Sequence, residues 1–255
     1  MNNITYTIWC TYHDKSLIKN YNLKEKNNFK LFYTKENLDL SLNYAQLYLC
    51  EYVTQYYVWK TNIKSDIIGF CHYRRNYDSI INNDLICYIY NHSLFYTFLN
   101  FSLKHNNLIE DWKYKGLELH VTLLLEYINK YYSKFYLNRL EKIMNSPFYI
   151  QSYRELYLCK WDIFEELMIF IENYIKFLFK NILSIEKKEL TDYYVNEFKM
   201  LDESLNNLNY DLFLKYHKIN ENINIDFYGS PRTIAFIIEM IIGVFWELFY
   251  SNINY

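Results

Sequence analysis

The run Gly69-Phe-Cys-His-Tyr-Arg-Arg-Asn-Tyr77 gathers an imidazole, two phenols and two adjacent guanidiniums. A guanidinium binds phosphate through two parallel charge-assisted hydrogen bonds, so Arg74 and Arg75 beside His72 and Tyr73 read as an anion clamp. Solvated loop charges beside a core histidine are the competing reading. Glu51 is the second unusual residue, lying on the otherwise apolar stripe Leu47, Cys50, Thr54 and Val58. A carboxylate there must be paired or line a cleft. A structural salt bridge to an arginine is the plain alternative to a catalytic role. Arg232 and Glu239 fall on one face of a C-terminal helix, about 10 Å apart along its axis, so each needs a partner elsewhere.

Several chemistries lack their residues. The four glycines (Gly69, Gly116, Gly229 and Gly243) never cluster, which excludes a dinucleotide-binding loop and a P-loop. No Asp-x-Asp, His-Glu-x-x-His or Gly-x-Ser-x-Gly motif occurs. His13, His72, His92, His105, His120 and His217 show no metal-ligand spacing. No cofactor is expected, and a divalent metal would have to bind without an Asp-x-Asp pair.

Positioning these residues requires a sheet. Ile4–Cys10 alternates and suits a first strand, and Phe29–Tyr33 a second. Residues 41–60 have helical spacing, without Gly or Pro. Asp66–His72 is a nearly continuous apolar run, as in a strand covered on both faces. The cationic cluster then emerges at that strand's carboxyl end, where open α/β sheets bind ligands. Asp84–Tyr90 is expected to be a strand, and Leu156–Cys159 a late one. Residues 92–103, 117–144 and 161–183 are expected to be mostly helical, and 184–221 to hold one or two surface helices. Ser230 and Pro231 mark the start of a last helix, as N-cap and first helical residue. Strands followed by helices predict an α/β sheet with a largely helical C-terminal half, in a single domain over 1–255.

The 255 residues can bury a substantial core, and 51% hydrophobic positions exclude a disordered chain. Net charge is −2, which gives no electrostatic case for nucleic acid. Tyr, Asn, Ile and Lys dominate while alanine occurs twice. That bias follows AT-rich codons, so the 30 tyrosines are not read as sugar-stacking platforms. Five cysteines without CxxC spacing read as reduced core thiols, and the N-terminus lacks a signal-peptide pattern. The expected location is cytoplasmic. Thr233–Tyr250 is the most apolar stretch, but Glu239 and Glu247 would each cost about 2–3 kcal/mol near a bilayer centre. It reads as a buried helix, leaving peripheral membrane contact open.

The segments Cys50-Glu-Tyr-Val-Thr-Gln-Tyr-Tyr-Val-Trp-Lys60 and Asp66-Ile-Ile-Gly-Phe-Cys-His-Tyr-Arg-Arg75 resemble the core signature of the DUF4422 family, which is glycosyltransferase-like. The match lies at Glu51, Trp59, Lys60, Gly69, His72, Tyr73, Arg74 and Arg75. Ile4–His13, Leu156–Phe164 and Pro231–Glu239 resemble the family's opening strand, late strand and final helix more loosely. Ala235 and Met240 depart from its pattern, Glu155 replaces a usual asparagine, and His120 is the candidate remnant of a middle block. The resemblance implies a GT-A-like nucleotide-sugar-binding fold. It implies a glycosyltransferase moving a sugar from a nucleotide-sugar donor to a glycan or lipid-linked acceptor in surface polysaccharide synthesis. Thr11 and His13 would contact the nucleotide. His72, Tyr73, Arg74 and Arg75 would hold the diphosphate in place of a metal. Glu51, Arg232 and Glu239 would shape the cleft, and Glu155 and Glu239 are candidates for the general base. The alternative is a non-catalytic glycan-binding or scaffold protein on a decayed transferase fold.

Overall fold

A computed structural model of the chain describes residues 4–35, 46, 48–74, 81–94, 96–97, 107–114, 118–146, 156–217 and 233–251. The chain divides into two compact units, Met1–Asn100 with Tyr153–Phe170, and Phe101–Ser152 with Ile171–Tyr255.

The first unit is built on strands β1 (Tyr6–Tyr12), β2 (Phe29–Tyr33), β3 (Ile67–His72), β4 (Tyr96–Thr97) and β5 (Leu156–Lys160). They form one sheet in the order β2-β1-β3-β5-β4. β1 runs parallel to both β2 and β3, while β5 is antiparallel to β3 and β4. The apolar run of β3 is central and buried on both faces, as its composition requires. Gly69 faces Leu158 across the β3–β5 pair. A Cβ there would lie 2.4 Å from Leu158 Cδ2 and 3.2 Å from the Tyr157 carbonyl oxygen, so glycine permits the close approach of β5.

Alternation along the strands separates two faces. One carries Ile8, Cys10, Tyr12, Ile67, Cys71 and Tyr73, clustered with Ile86 and Ile89 of α3 (Asn83–His92). The other is covered by α2 (Tyr52–Lys60), where Tyr57 packs on Phe32, and by Phe164, which packs on Phe70. A short α1 (Ser16–Asn20) follows β1. The segment 84–90, expected as a strand, is helical. Asn82 accepts the Leu85 N–H at 2.9 Å as an N-cap, and Ile86 and Ile89 fall on one helical face. That helix ends at His92 and Tyr96–Thr97 is extended, so the helix expected over 92–103 is absent at 96–97, and residues 98–103 lie outside the described residues. The helical stretch expected over 41–60 is also broken. Cys50 takes φ 47°, and α2 starts anew beyond it. α2 ends at Lys60, and Asn62 two residues on, at φ 56°, closes it with Ile63 N–H on the Val58 carbonyl and Asn62 N–H on that of Trp59.

The second unit, among its described residues, is helical. It holds α4 (Leu108–Tyr114), α5 (Glu118–Tyr131), α6 (Lys134–Asn145), α8 (Val195–His217) and α9 (Thr233–Phe249), with a 3₁₀ turn at Leu190–Asp192. The helix α7 (Trp161–Leu183) gives residues 161–170 to the first unit and 171–183 to the second. α8 is a helix expected within 184–221, and its described part is amphipathic: Phe198, Leu201, Asp202 and Leu205 are buried while Lys199, Met200 and Glu203 are exposed. Asp202 accepts the Thr233 N–H at 3.0 Å and the Ile234 N–H at 3.4 Å, capping α9 from a different helix. Ser230 and Pro231, expected to start that helix, lie outside the described residues. Five cysteines are free thiols, and Cys87 is exposed rather than core. Among the described residues no helix is long and apolar enough to cross a membrane.

Candidate functional site

The chain leaves β1 for β2 on one side and later returns to β3 on the other. The carboxyl ends of β1 and β3 therefore flank a topological switch point, the crevice where open α/β sheets bind ligands. Thr11 and His72 sit opposite each other at these ends, in register.

Both side chains are held by the start of α2. The buried Thr11 hydroxyl donates to Thr54 Oγ1 at 2.8 Å. His72 Nε2 lies 3.1 Å from Glu51 Oε1. Glu51 and Thr54 are three residues apart, so one helical face meets two neighbouring strands. The positive φ at Cys50 breaks the chain just before Glu51 and so sets where α2 begins. The second imidazole nitrogen is also engaged, because Nδ1 accepts the Arg74 backbone N–H at 3.2 Å. That donor assigns the ring proton to Nε2, where it is directed at Glu51. Glu51 is the paired carboxylate that its place on an apolar stripe requires, with His72 rather than an arginine as the partner described.

Beyond β3 the chain turns at Tyr73 and Arg74. Tyr73 is buried, and its ring lies 3.9 Å from that of His72. Arg74 is exposed; its Nε–H donates to Tyr73 Oη at 3.3 Å, with the guanidinium carbon 5.5 Å from the Tyr73 ring. His13 meets the same ring edge-on at 5.5 Å, as does Tyr21 at 5.2 Å. Further along this edge Tyr12 stacks on Tyr33 at 5.2 Å, with Lys15 Nζ 5.2 Å from the Tyr33 ring. Asp14 turns away to accept the Ser16 N–H at 2.8 Å. That bond chiefly holds its carboxyl below the ordinary carboxylate range.

The first unit thus brings together Thr11, His13, Glu51, His72, Tyr73 and Arg74. Arg75, Glu155 and Arg232 lie outside the described residues. Glu239 is half-buried on α9 of the second unit. His120 is fully buried on α5, and desolvation pushes its pKa down to about 3, so it is a neutral core histidine at physiological pH. Sequence reasoning missed Thr54, Lys15 and Tyr33. The last two were findable, because each stands at or just past the carboxyl end of a parallel strand. Thr54 was not, because only the fold shows it meeting Thr11. Among the described residues no group of three His, Cys, Asp or Glu side chains could hold a metal ion.

No protein-family model matches the chain. No curated protein matches it. Among solved structures it is similar to the apo structure of WbbM, a bifunctional glycosyltransferase, with a TM-score of 0.59 and 16% sequence identity. The similarity covers 96% of this chain and 42% of that one, so this chain spans less than half the length of its structural neighbour. The fold is α/β and GT-A-like.

Proposed function

We propose that the protein is a glycosyltransferase of the DUF4422 type. It would transfer a sugar from a nucleotide-sugar donor to a glycan or lipid-linked acceptor in surface polysaccharide synthesis. The observation that supports this most directly is the placement of Arg74 and His13 at the β1/β3 switch point, on a scaffold braced by Thr54 and Glu51. In the reaction an acceptor hydroxyl oxygen bonds to the anomeric carbon. The bond from that carbon to the diphosphate oxygen breaks, the diphosphate leaves with the electron pair, and the hydroxyl proton passes to a base. Glu155 and Glu239 are the candidate bases.

The roles divide by what each side chain has to offer. Arg74 neutralises charge gathering on the leaving diphosphate, a role the family resemblance gives to Arg75 as well, while Arg232 is given to the cleft. A well-placed donor of this kind is worth roughly 3–4 kcal/mol of barrier. His72 acts as a positioning residue, because its Nδ1 holds the Arg74 amide and its Nε2–H is anchored on Glu51. His13, just past the end of β1, meets the nucleotide, while Thr11, expected to do the same, is buried on Thr54 and braces the edge instead. Thermal-shift measurement with UDP-, GDP- and CDP-sugars tests the reading. One donor is expected to stabilise the protein by about 2.7 kcal/mol at a hundredfold excess over Kd, and Arg74→Ala/Arg75→Ala is expected to lose that response. Transfer is expected to persist in excess EDTA; complete loss restored by Mn²⁺ or Mg²⁺ would overturn the metal-free part. No response to any nucleotide-sugar would instead favour a glycan-binding or scaffold protein.

A further inference from the structure

The turn between α5 and α6 is an aromatic tip of this helix pair that the transferase reading does not use. At the turn between α5 and α6, Tyr131 is 52% and Phe135 64% exposed. Beneath them Tyr132 and Tyr136 pack on Phe249 at the end of α9, with ring centroids 5.4 and 4.9 Å apart. Burying nearly all of a side chain as apolar as phenylalanine in water-free contact is the usual outcome. Here two aromatic side chains of one turn are each more than half exposed, although the Tyr131 ring still meets Tyr127 and Phe177 on its inner side.

The charge beside these rings says what covers this tip. The segment Ile128–Arg139 carries Lys130, Lys134 and Arg139 and no acidic residue. Lys130 and Lys134 are exposed, and Lys130 Nζ lies 5.4 Å from the Tyr131 ring. Aromatic side chains flanked by lysines suit a membrane interface, where rings sit at headgroup depth and ammonium groups meet lipid phosphates. The third cation of the segment is engaged within the protein. A helix leaves its last carbonyls unsatisfied. At the end of α9, Arg139 donates through Nε and Nη2 to the Glu247 carbonyl at 3.1 and 2.9 Å, and through Nη2 to the Ser251 carbonyl.

We propose that the tip formed by Tyr131, Phe135 and the lysines beside them docks the protein on an anionic lipid bilayer, without any segment crossing it. Tyr131 and Phe135 enter the interface, and Lys130 and Lys134 bind lipid phosphates. The proposal is independent of the transferase chemistry, because none of these residues belongs to the site at the β1/β3 switch point.

Sedimentation of the full chain with vesicles of phosphatidylcholine and phosphatidylglycerol, against phosphatidylcholine alone, tests it. Binding is expected on the anionic vesicles, weakened by added salt. Tyr131→Ser/Phe135→Ser is expected to lower partitioning at least about tenfold. Lys130→Gln/Lys134→Gln is expected to lower it about thirtyfold on anionic vesicles, from two lysines near a charged surface. Both variants change exposed side chains, and unchanged far-UV circular dichroism and Tm are expected to confirm folding. Absence of vesicle binding overturns the proposal, as does binding that both variants retain in full. A concentration-dependent dimer that Tyr131→Ser/Phe135→Ser abolishes, without vesicle binding, would overturn it in favour of a contact between two copies of this chain.

Discussion

Asp202 offers a quantitative test of the second unit. Its side chain is 1% exposed, and burial raises its carboxyl pKa from 3.8 to about 6 despite hydrogen bonds from the Ile234 and Thr233 amides and from Asn206. Between pH 4 and 6 the native chain therefore holds a proton that the unfolded chain has released. Stability from this group is full below the unfolded pKa and is lost as pH rises through about 6. Two pKa units correspond to about 3 kcal/mol. Asparagine is an uncharged likeness of the protonated acid, and its oxygen can accept the same α9 amides. Asp202→Asn is thus expected to match the parent at pH 4 and to exceed its stability by up to about 3 kcal/mol at pH 8. The ordinary cost of losing the Asn206 hydrogen bond, about 1 kcal/mol, reduces that gain. Urea unfolding of both chains across pH 4–8, followed by far-UV circular dichroism, measures the difference while titrations common to both cancel. A difference that does not change with pH would refute the argument, and so would a variant less stable than the parent at pH 8.

Gly69→Ala is expected to destabilise the first unit by about 1–3 kcal/mol, because the new methyl meets Leu158 and a backbone oxygen on β5. A thermal melt unchanged by the substitution would show that β5 does not press on β3 there. Glu51→Ala leaves the Nε2–H of His72, whose side chain is 12% exposed, without its carboxylate. The expected loss is about 1–3 kcal/mol, with Glu51→Gln costing less. The imidazole ¹⁵N spectrum of the parent should show the proton on Nε2, and the opposite tautomer would contradict the role given to the Arg74 amide.

The sequence was most readable where one local pattern sufficed. Phe29–Tyr33 and Trp161–Leu183 have the expected boundaries, because neither is interrupted by a residue of competing conformation. Residues 84–90 were misread because apolar content outweighed the Asn82 cap and the three-residue spacing of Ile86 and Ile89. The interruption at Cys50 gave no sequence signal, since a cysteine at positive φ is set by its surroundings and not by preference. Pairing lay beyond reach for a different reason. Leu156–Cys159 reads as a strand, but nothing in its residues says that it runs antiparallel beside β3. At the site, the carboxyl edge carrying His72 and Arg74 was legible from the end of an apolar run. Its bracing was not, because Glu51–His72 and Thr11–Thr54 are meetings of distant segments. The Asp202 cap was hidden in the same way, on a helix 31 residues before the amide it serves.

The interleaved course of the chain governs how it must be made. When synthesis has reached Asn100, β1, β2 and β3 are present, yet the free side of β3 has no neighbour until Leu156–Lys160 emerges. β4 waits for the same strand. In the interval the edge of an apolar strand is left unpaired in the nascent chain, the kind of template that recruits other chains. An N-terminal fragment cut at Asn100 would carry that margin permanently. A soluble version of the first unit would therefore have to splice residues 153–170 back on, which makes the inserted helical segment a toll on cotranslational folding.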